Sequence, residues 1–223
     1  MFQRILSIAI DREGALISAS RNPIGFVALV AGVVAFTSTP SLEPKAQGSA
    51  DDGPRYAANG DLLLPGAFAT WIFVGSNLGL SYKPDLAAMT TREGARADPP
   101  QFHNVYINRS AYSYFLANKA FPDGTILVME VFEATAKAPK DVLTGGVFDG
   151  NKTGVEVAVK NVHRPDGKTT PWAYYDFTDP SNAAKTRSTA TAFPDDTCES
   201  CHHLHASVDN VWVQFYPALR DNM

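Results

Sequence analysis

The stretch FHNVYINRSAYSYFLANKAFPDGTILVMEVFEA, residues 102–134, constrains the fold of this chain more than any other part of it. Phe102 to Ile107 has strand character, with Val105 and Ile107 on one face. Asn108 or Ser110 can cap a helix by accepting from a free backbone N–H. Ala111, Tyr114, Phe115 and Asn118 then fall on one helical face. The FPDGT turn stops the helix, because Pro122 presets φ and Gly124 permits a positive φ. A second strand, TILVMEVFEA, follows. Alternation puts Leu127, Met129 and Val131 on one side of it and Ile126, Val128, Glu130 and Phe132 on the other.

Other segments fit the same architecture. DLLLPGAFATWIFVGS (61–76) turns at Pro65-Gly66, then predicts a helical turn and a short strand, Trp71 to Val74. GVEVAVKNV (154–162) alternates, with Val155, Val157 and Val159 opposed to Glu156, Ala158 and Lys160, as a half-exposed antiparallel strand does. WAYYDF (172–177) reads as a further strand, and MTTREGARADPP (89–100) as a polar loop. Strands in hairpin-like succession with one clear helix, and no recurring strand–helix–strand unit, give an α+β fold: an antiparallel β-sheet packed with a few helices.

The N-terminus is a different material. IGFVALVAGVVAF, Ile24 to Phe36, is uncharged and almost wholly apolar, and Arg4, Arg12 and Arg21 precede it. The run is shorter than the roughly 20 residues of a comfortable membrane span. Residues 1–36 therefore predict a secretory signal or an uncleaved anchor. Either places the folded part outside the cytoplasm, in the periplasm. Residues 37–58 are rich in Ser, Pro, Ala, Gly and Asp and read as linker, leaving 59–223 as the folded domain. Hydrophobic content of 45% and charged content of 19% are those of a globular chain able to enclose a cofactor. A formal charge of −4 with no basic stripe argues against a nucleic-acid partner.

The chemistry concentrates in CESCHHLHASVDN, residues 198–210, which holds both cysteines and three of the five histidines. Three readings compete. Zinc would need four ligands crowded into one short segment. A Cys198–Cys201 disulfide would close a very small loop and add little stability. The third reading, covalent haem, explains more. Cys-x-x-Cys-His sets two thiols at the spacing of the two porphyrin vinyl groups, and His202 follows at once as the iron ligand. Attachment outside the cytoplasm agrees with the N-terminal signal. His203 and His205 then read as exposed bystanders, and His103 and His163 as isolated surface or core histidines.

Taken together, DLLLPGAFATWIFVGS, the 102–134 stretch, WAYYDF and TAFPDDTCESCHHLHASVDNVWVQFYPALR resemble the cytochrome P-460 family in order and over nearly all of the chain after the linker. FHNVYIN, FPDGT and QFYP flanking a late Cys-x-x-Cys-His carry the resemblance. It implies an antiparallel sheet with packed helices, a homodimer, and one covalent, five-coordinate haem c per chain, bound by Cys198, Cys201 and His202. It further implies hydroxylamine oxidation and exchange of electrons with a redox partner. A sister group, the cytochromes c′-beta, shares the fold and chiefly binds nitric oxide or carbon monoxide. Enzymatic members carry a lysine that cross-links to the porphyrin in a stretch like TVLVKEL. Here TILVMEV puts Met129 at that position, and a methionine packed beside the ring is expected. A distal base for hydroxylamine chemistry has three candidates, Asp209, His205 and Glu130.

Overall fold

The computed structural model describes residues 52–80, 100–136 and 145–223. The chain divides into two units, Met1–Glu43 and Pro44–Met223, and every described residue belongs to the second. The N-terminal signal or anchor, most of the expected linker, and the polar loop except Pro100 lie outside the described residues. Among the described residues, no helix is long and apolar enough to cross a membrane.

In chain order the strands are β1 (Leu62–Leu63), β2 (Ile72–Leu78), β3 (Gln101–Ile107), β4 (Ile126–Thr135), β5 (Phe148–Lys160), β6 (Trp172–Asp176), β7 (Thr178–Asp179), β8 (Asn182–Thr186) and β9 (Thr189–Ala190). The helices are α1 (Arg109–Asn118), α2 (Glu199–His205) and α3 (Pro217–Arg220). Strands β2 to β6 form one five-stranded antiparallel sheet in sequence order. β1 pairs with β9 and β7 with β8 in two small ribbons. The architecture is mostly antiparallel sheet with few helices, as the strand succession predicts. β5 begins well before residue 154, and β2 runs on past Val74.

Register fixes which side chains share a face, because directly opposed residues in a ladder point the same way. Val105, Met129 and Glu156 stand opposite one another across β3, β4 and β5. Ile107, Leu127, Ala158 and Tyr174 form the next row. The predicted phase of β4 holds: Leu127, Met129 and Val131 share this first face. The second face carries Ile126, Val128, Val155, Val157, Val159, Ala173 and Tyr175, closed over by Leu62, Phe177 and Ala190. The strand at 154–162 is thus buried on its valine side, while Glu156, Ala158 and Lys160 are only half-buried.

α1 follows β3 as expected, but its inner stripe is narrower than the sequence suggests. Ala111 and Phe115 are buried, whereas Tyr114 is 45% exposed and Asn118 faces solvent. Tyr112, on the other flank of the i, i+4 line, packs inward instead. Asn108 occupies the cap position but spends its side chain elsewhere. Its Oδ1 accepts from Ile126 N at 2.8 Å, and its Nδ2 donates to Gly124 O at 3.1 Å, stapling the helix start to β4. The cap is made by Asp52, whose Oδ2 accepts from Ser110 N at 3.0 Å. The helix ends at Lys119, in the left-handed region at φ 56°, just before the proline turn. Gly124 takes φ 82°, as the turn requires.

The chain also pairs with itself ahead of the expected domain start. Tyr56 bridges to Leu62, and Leu63 N donates to Arg55 O at 2.9 Å. At the far end the chain returns over the first face. At Gly75 a Cβ would lie 2.8 Å from Pro217 Cδ, so only a glycine lets α3 come this close to β2.

Candidate functional site

The C-terminal segment lies against the first face of the sheet. Cys198, Met129, Ala158, Phe193, Val208 and Tyr216 pack around a buried cluster that includes Leu127, Trp172, Tyr174 and Val211. The expected neighbourhood of Met129 and the Cys-His segment is therefore formed by one wall.

The segment is moored before it reaches Cys198. The Arg164 side chain, 1% exposed, pairs with Asp166 at 2.6 Å and with Asp195 at 3.3 Å. It also donates to Trp172 O at 2.7 Å and to Thr170 Oγ1 at 2.8 Å. Burial opposes the charge on each partner. The Arg164 hydrogen bond and charge outweigh it at Asp166, and the Lys168 hydrogen bond and Arg164 charge outweigh it at Asp195, so both carboxyls lie below their ordinary values. Asp195 O then accepts from Ser200 N at 3.1 Å, joining this anchor to the first turn of α2.

Cys198 sits at the N-cap of α2, and Cys201 and His202 follow within it. The two cysteines are half-buried and not joined by a disulfide. Burial pushes the Cys201 thiol above its ordinary value. His202 Nδ1 lies 2.9 Å from Asn210 O, and Trp212 Nε1 donates to His202 Nε2 at 3.2 Å. An indole nitrogen can only donate and a carbonyl can only accept. The imidazole is therefore neutral, with its proton on Nδ1 and its lone pair on Nε2. Burial pushes the group below its usual range, and the Asn210 carbonyl offsets part of that.

The His202 ring is held between two aromatic side chains. Tyr174 lies 4.5 Å away between ring centroids and Trp212 lies 5.4 Å away, edge-on. Trp212 in turn stacks on Phe215. Among the described residues, the buried Tyr174 hydroxyl makes no hydrogen bond of good geometry, and the Asn210 side chain is its polar neighbour. The Asn210 amide on that side donates instead to Glu199 Oε1 at 3.1 Å. Burial pushes the phenol of Tyr174 far above its ordinary value, so it stays protonated and remains a donor.

The expected distal bases do not gather here. Glu130 projects from the second face, beside Asn104 and Val155 in the ladder, where it forms an ion pair with Lys152. His205 is exposed, and its backbone carbonyl accepts from Gln214 Nε2 at 3.3 Å. Asp209 lies in the turn after α2, but its carboxylate is engaged. It accepts from Lys160 Nζ at 2.6 Å and from Trp172 Nε1 at 3.2 Å. The carboxylate that register sets beside Met129 is Glu156, half-buried on the first face. His203 and His163 are exposed, and His103 stands on β3 opposite Val131.

Among the described residues, no three His, Cys, Asp or Glu side chains converge as zinc ligands would. The residues do suit haem c. Two thiols stand three positions apart, a neutral imidazole presents its Nε2 lone pair, and a buried hydroxyl in the adjoining wall makes no good hydrogen bond among the described residues. A metal on Nε2 would take the place of the Trp212 hydrogen bond.

An antiparallel sheet carrying a late Cys-x-x-Cys-His helix is an arrangement that suits a β-sheet haem protein and differs from a helical cytochrome. The family model of cytochrome P460 matches residues 79–213, and the chain belongs to that family. Membership makes it a haem protein of the c-type cytochrome class, with iron as its metal. No curated protein matches the chain.

Sequence reasoning had no means of seeing Tyr174, Trp212 or Arg164 as parts of this site, since Tyr174 and Trp212 meet His202, and Arg164 meets Asp195, only through tertiary folding. The turn at Asp209-Asn210 did leave a signal. An Asp-Asn pair between two valines suits a two-residue turn that needs positive φ at both central positions.

Proposed function

We propose that this chain is an exported c-type cytochrome carrying one covalent haem, and that it acts on small nitrogen oxides. Cys198 and Cys201 hold the porphyrin by thioether bonds, and His202 Nε2 holds the iron. The single observation that carries this reading is the His202 tautomer. A neutral imidazole with Nδ1–H fixed on a backbone carbonyl is the usual state of a haem or metal ligand. The haem supplies one-electron redox chemistry and a coordination position for hydroxylamine or nitric oxide.

The chain's own groups divide the remaining work. Tyr174 and Trp212 fix the ring plane of His202. Leu127, Met129 and Val105 form an apolar wall that excludes water. Hydroxylamine oxidation also requires a proton acceptor. Glu156 is the carboxylate directly opposite Met129 in the ladder, with Asp176 next in the same row, while Glu130 lies on the other face. Electrons leave to a redox partner in the periplasm.

A second reading is favoured by Met129 itself. Methionine has no amine and forms no lysine-type porphyrin bond, so the ring retains ordinary haem c electronics. The protein would then bind nitric oxide or carbon monoxide without turnover, as the cytochromes c′-beta do. Expression with haem-attachment machinery, a ferrous spectrum and a hydroxylamine assay with an artificial electron acceptor separate the two. Turnover that falls at least tenfold in Glu156→Gln supports the enzyme. Tight nitric oxide binding with no hydroxylamine oxidation supports the gas-binding protein. A ferrous band shifted far to the red would contradict the role given to Met129.

A further inference from the structure

Between α2 and the 3₁₀ turn at Val213–Phe215 the chain reverses over Val208-Asp209-Asn210-Val211. Asp209 and Asn210 have φ of 45° and 62°. Val211 N donates to Val208 O at 2.8 Å, and Val208 N donates back to Val211 O at 3.4 Å. Two successive positive φ values closed by this reciprocal pair are the signature of a type I′ hairpin turn. Left-handed φ is costly for non-glycine residues, least so for Asp and Asn. Asp and Asn suit the turn itself, and a separate contact ties it to the sheet.

That contact is made by the Asp209 side chain. Its two oxygens take Trp172 Nε1 and Lys160 Nζ, and these two residues are themselves a cross-strand pair at the end of β5 and β6. Lys160 Nζ also donates to Phe121 O at 2.8 Å, which gives the ammonium a second acceptor. The next residue, Asn210, presents its carbonyl to His202 Nδ1 and its amide to Glu199 at the start of α2. One carboxylate thus ties the sheet to the carbonyl that orients the histidine.

We propose that Asp209 is a positioning residue for the haem ligand and acts through Asn210, not a proton acceptor for substrate. Its tether to Lys160 and Trp172 keeps the Asn210 carbonyl aligned on His202 Nδ1–H. That hydrogen bond raises the basicity of the imidazole, which strengthens its bond to iron and favours the ferric state. The inference rests on His202 being the haem ligand.

The test uses the full chain expressed with haem-attachment machinery. Mass spectrometry first establishes covalent haem in the wild type. The ferrous iron–histidine stretching frequency and the midpoint potential are then measured in wild type, Asp209→Gly, Asp209→Asn and Lys160→Met. Glycine keeps the positive φ and removes the tether. Asparagine keeps the φ and one acceptor oxygen, and Lys160→Met removes one anchor only. The expected result is a lower stretching frequency and a higher potential in Asp209→Gly, a smaller change of the same sign in Lys160→Met, and substantial recovery in Asp209→Asn. If Asp209→Gly takes up no haem, Lys160→Met decides by the same two readouts. Wild-type frequency and potential in haem-loaded Asp209→Gly or, where that variant takes up no haem, in Lys160→Met would overturn the tether while leaving the haem reading intact. A wild-type chain without covalent haem would remove the haem reading, and the tether with it.

Discussion

The two faces of the central sheet are built from the same strands and end in different states. On the second face Val128, Val155, Val159 and Phe177 are each 0% exposed, and the short β1 and β9 complete the cover. On the first face, Met129, Ala158 and Cys198 are only partly buried, and a buried tyrosine hydroxyl makes no good hydrogen bond among the described residues. The second face carries a buried apolar cluster beside the Glu130–Lys152 pair. The other combines apolar wall, aromatic rings, a neutral histidine and two thiols in one place. The difference locates function. A core gains nothing from an unsatisfied hydroxyl, which costs about 1–3 kcal/mol, whereas a cofactor wall can supply that hydroxyl with a partner.

Truncation on the second face should do the most damage. Phe177→Ala removes a fully buried ring, and its cost should be about 3–5 kcal/mol. Met129→Leu, on the open face, should cost less than about 1.5 kcal/mol, since it nearly conserves volume. Urea unfolding of both variants measures the contrast. Equal losses would mean that the two faces are packed alike.

The next effect belongs to the mooring of the open face. Arg164→Ala deletes a buried cation and leaves Asp166 without its ion pair and Asp195 with Lys168 alone. The cost of breaking such a buried pair is discounted here because both acids are about a third exposed. A loss of about 2–3 kcal/mol is expected, with lower haem incorporation because Asp195 leads into Cys198. Destabilisation with unchanged haem incorporation would show that this network serves the fold alone.

The same network sets an acid limit. Asp166 and Asp195 have folded-state values held below their unfolded ones. Each therefore contributes stability that is present above the unfolded value and is lost as the pH falls through the folded one. Stability should decline below about pH 4, and the decline should be shallower in Arg164→Met than in wild type. A wild-type stability curve flat between pH 5 and about pH 2.5 would contradict the linkage.

Much of this contrast was legible in the amino-acid order. Period-two alternation in TILVMEVFEA assigned Met129 and Glu130 to opposite faces, and the register bears that out. The helix at 109–118 and its stop before FPDGT were readable from local chemistry. The width of its buried stripe was not, because Tyr112 turns inward to meet the C-terminal segment, with its hydroxyl 3.5 Å from Ala218 O. Asp209 looked like a reactive acid because its two partners, Lys160 and Trp172, are distant in sequence and adjacent only across β5 and β6. His202 was legible from its motif, but the groups that set its proton, Asn210 O and Trp212 Nε1, required the turn that folds back over α2.

Covalent attachment at the open face has one decisive measurement: the intact mass of the denatured chain after expression with haem-attachment machinery, for wild type and for Cys198→Ser with Cys201→Ser. The expected result is one haem retained through denaturation in the wild type and none in the double variant. A wild-type chain of unmodified mass would contradict the assignment of Cys198, Cys201 and His202 as the haem site.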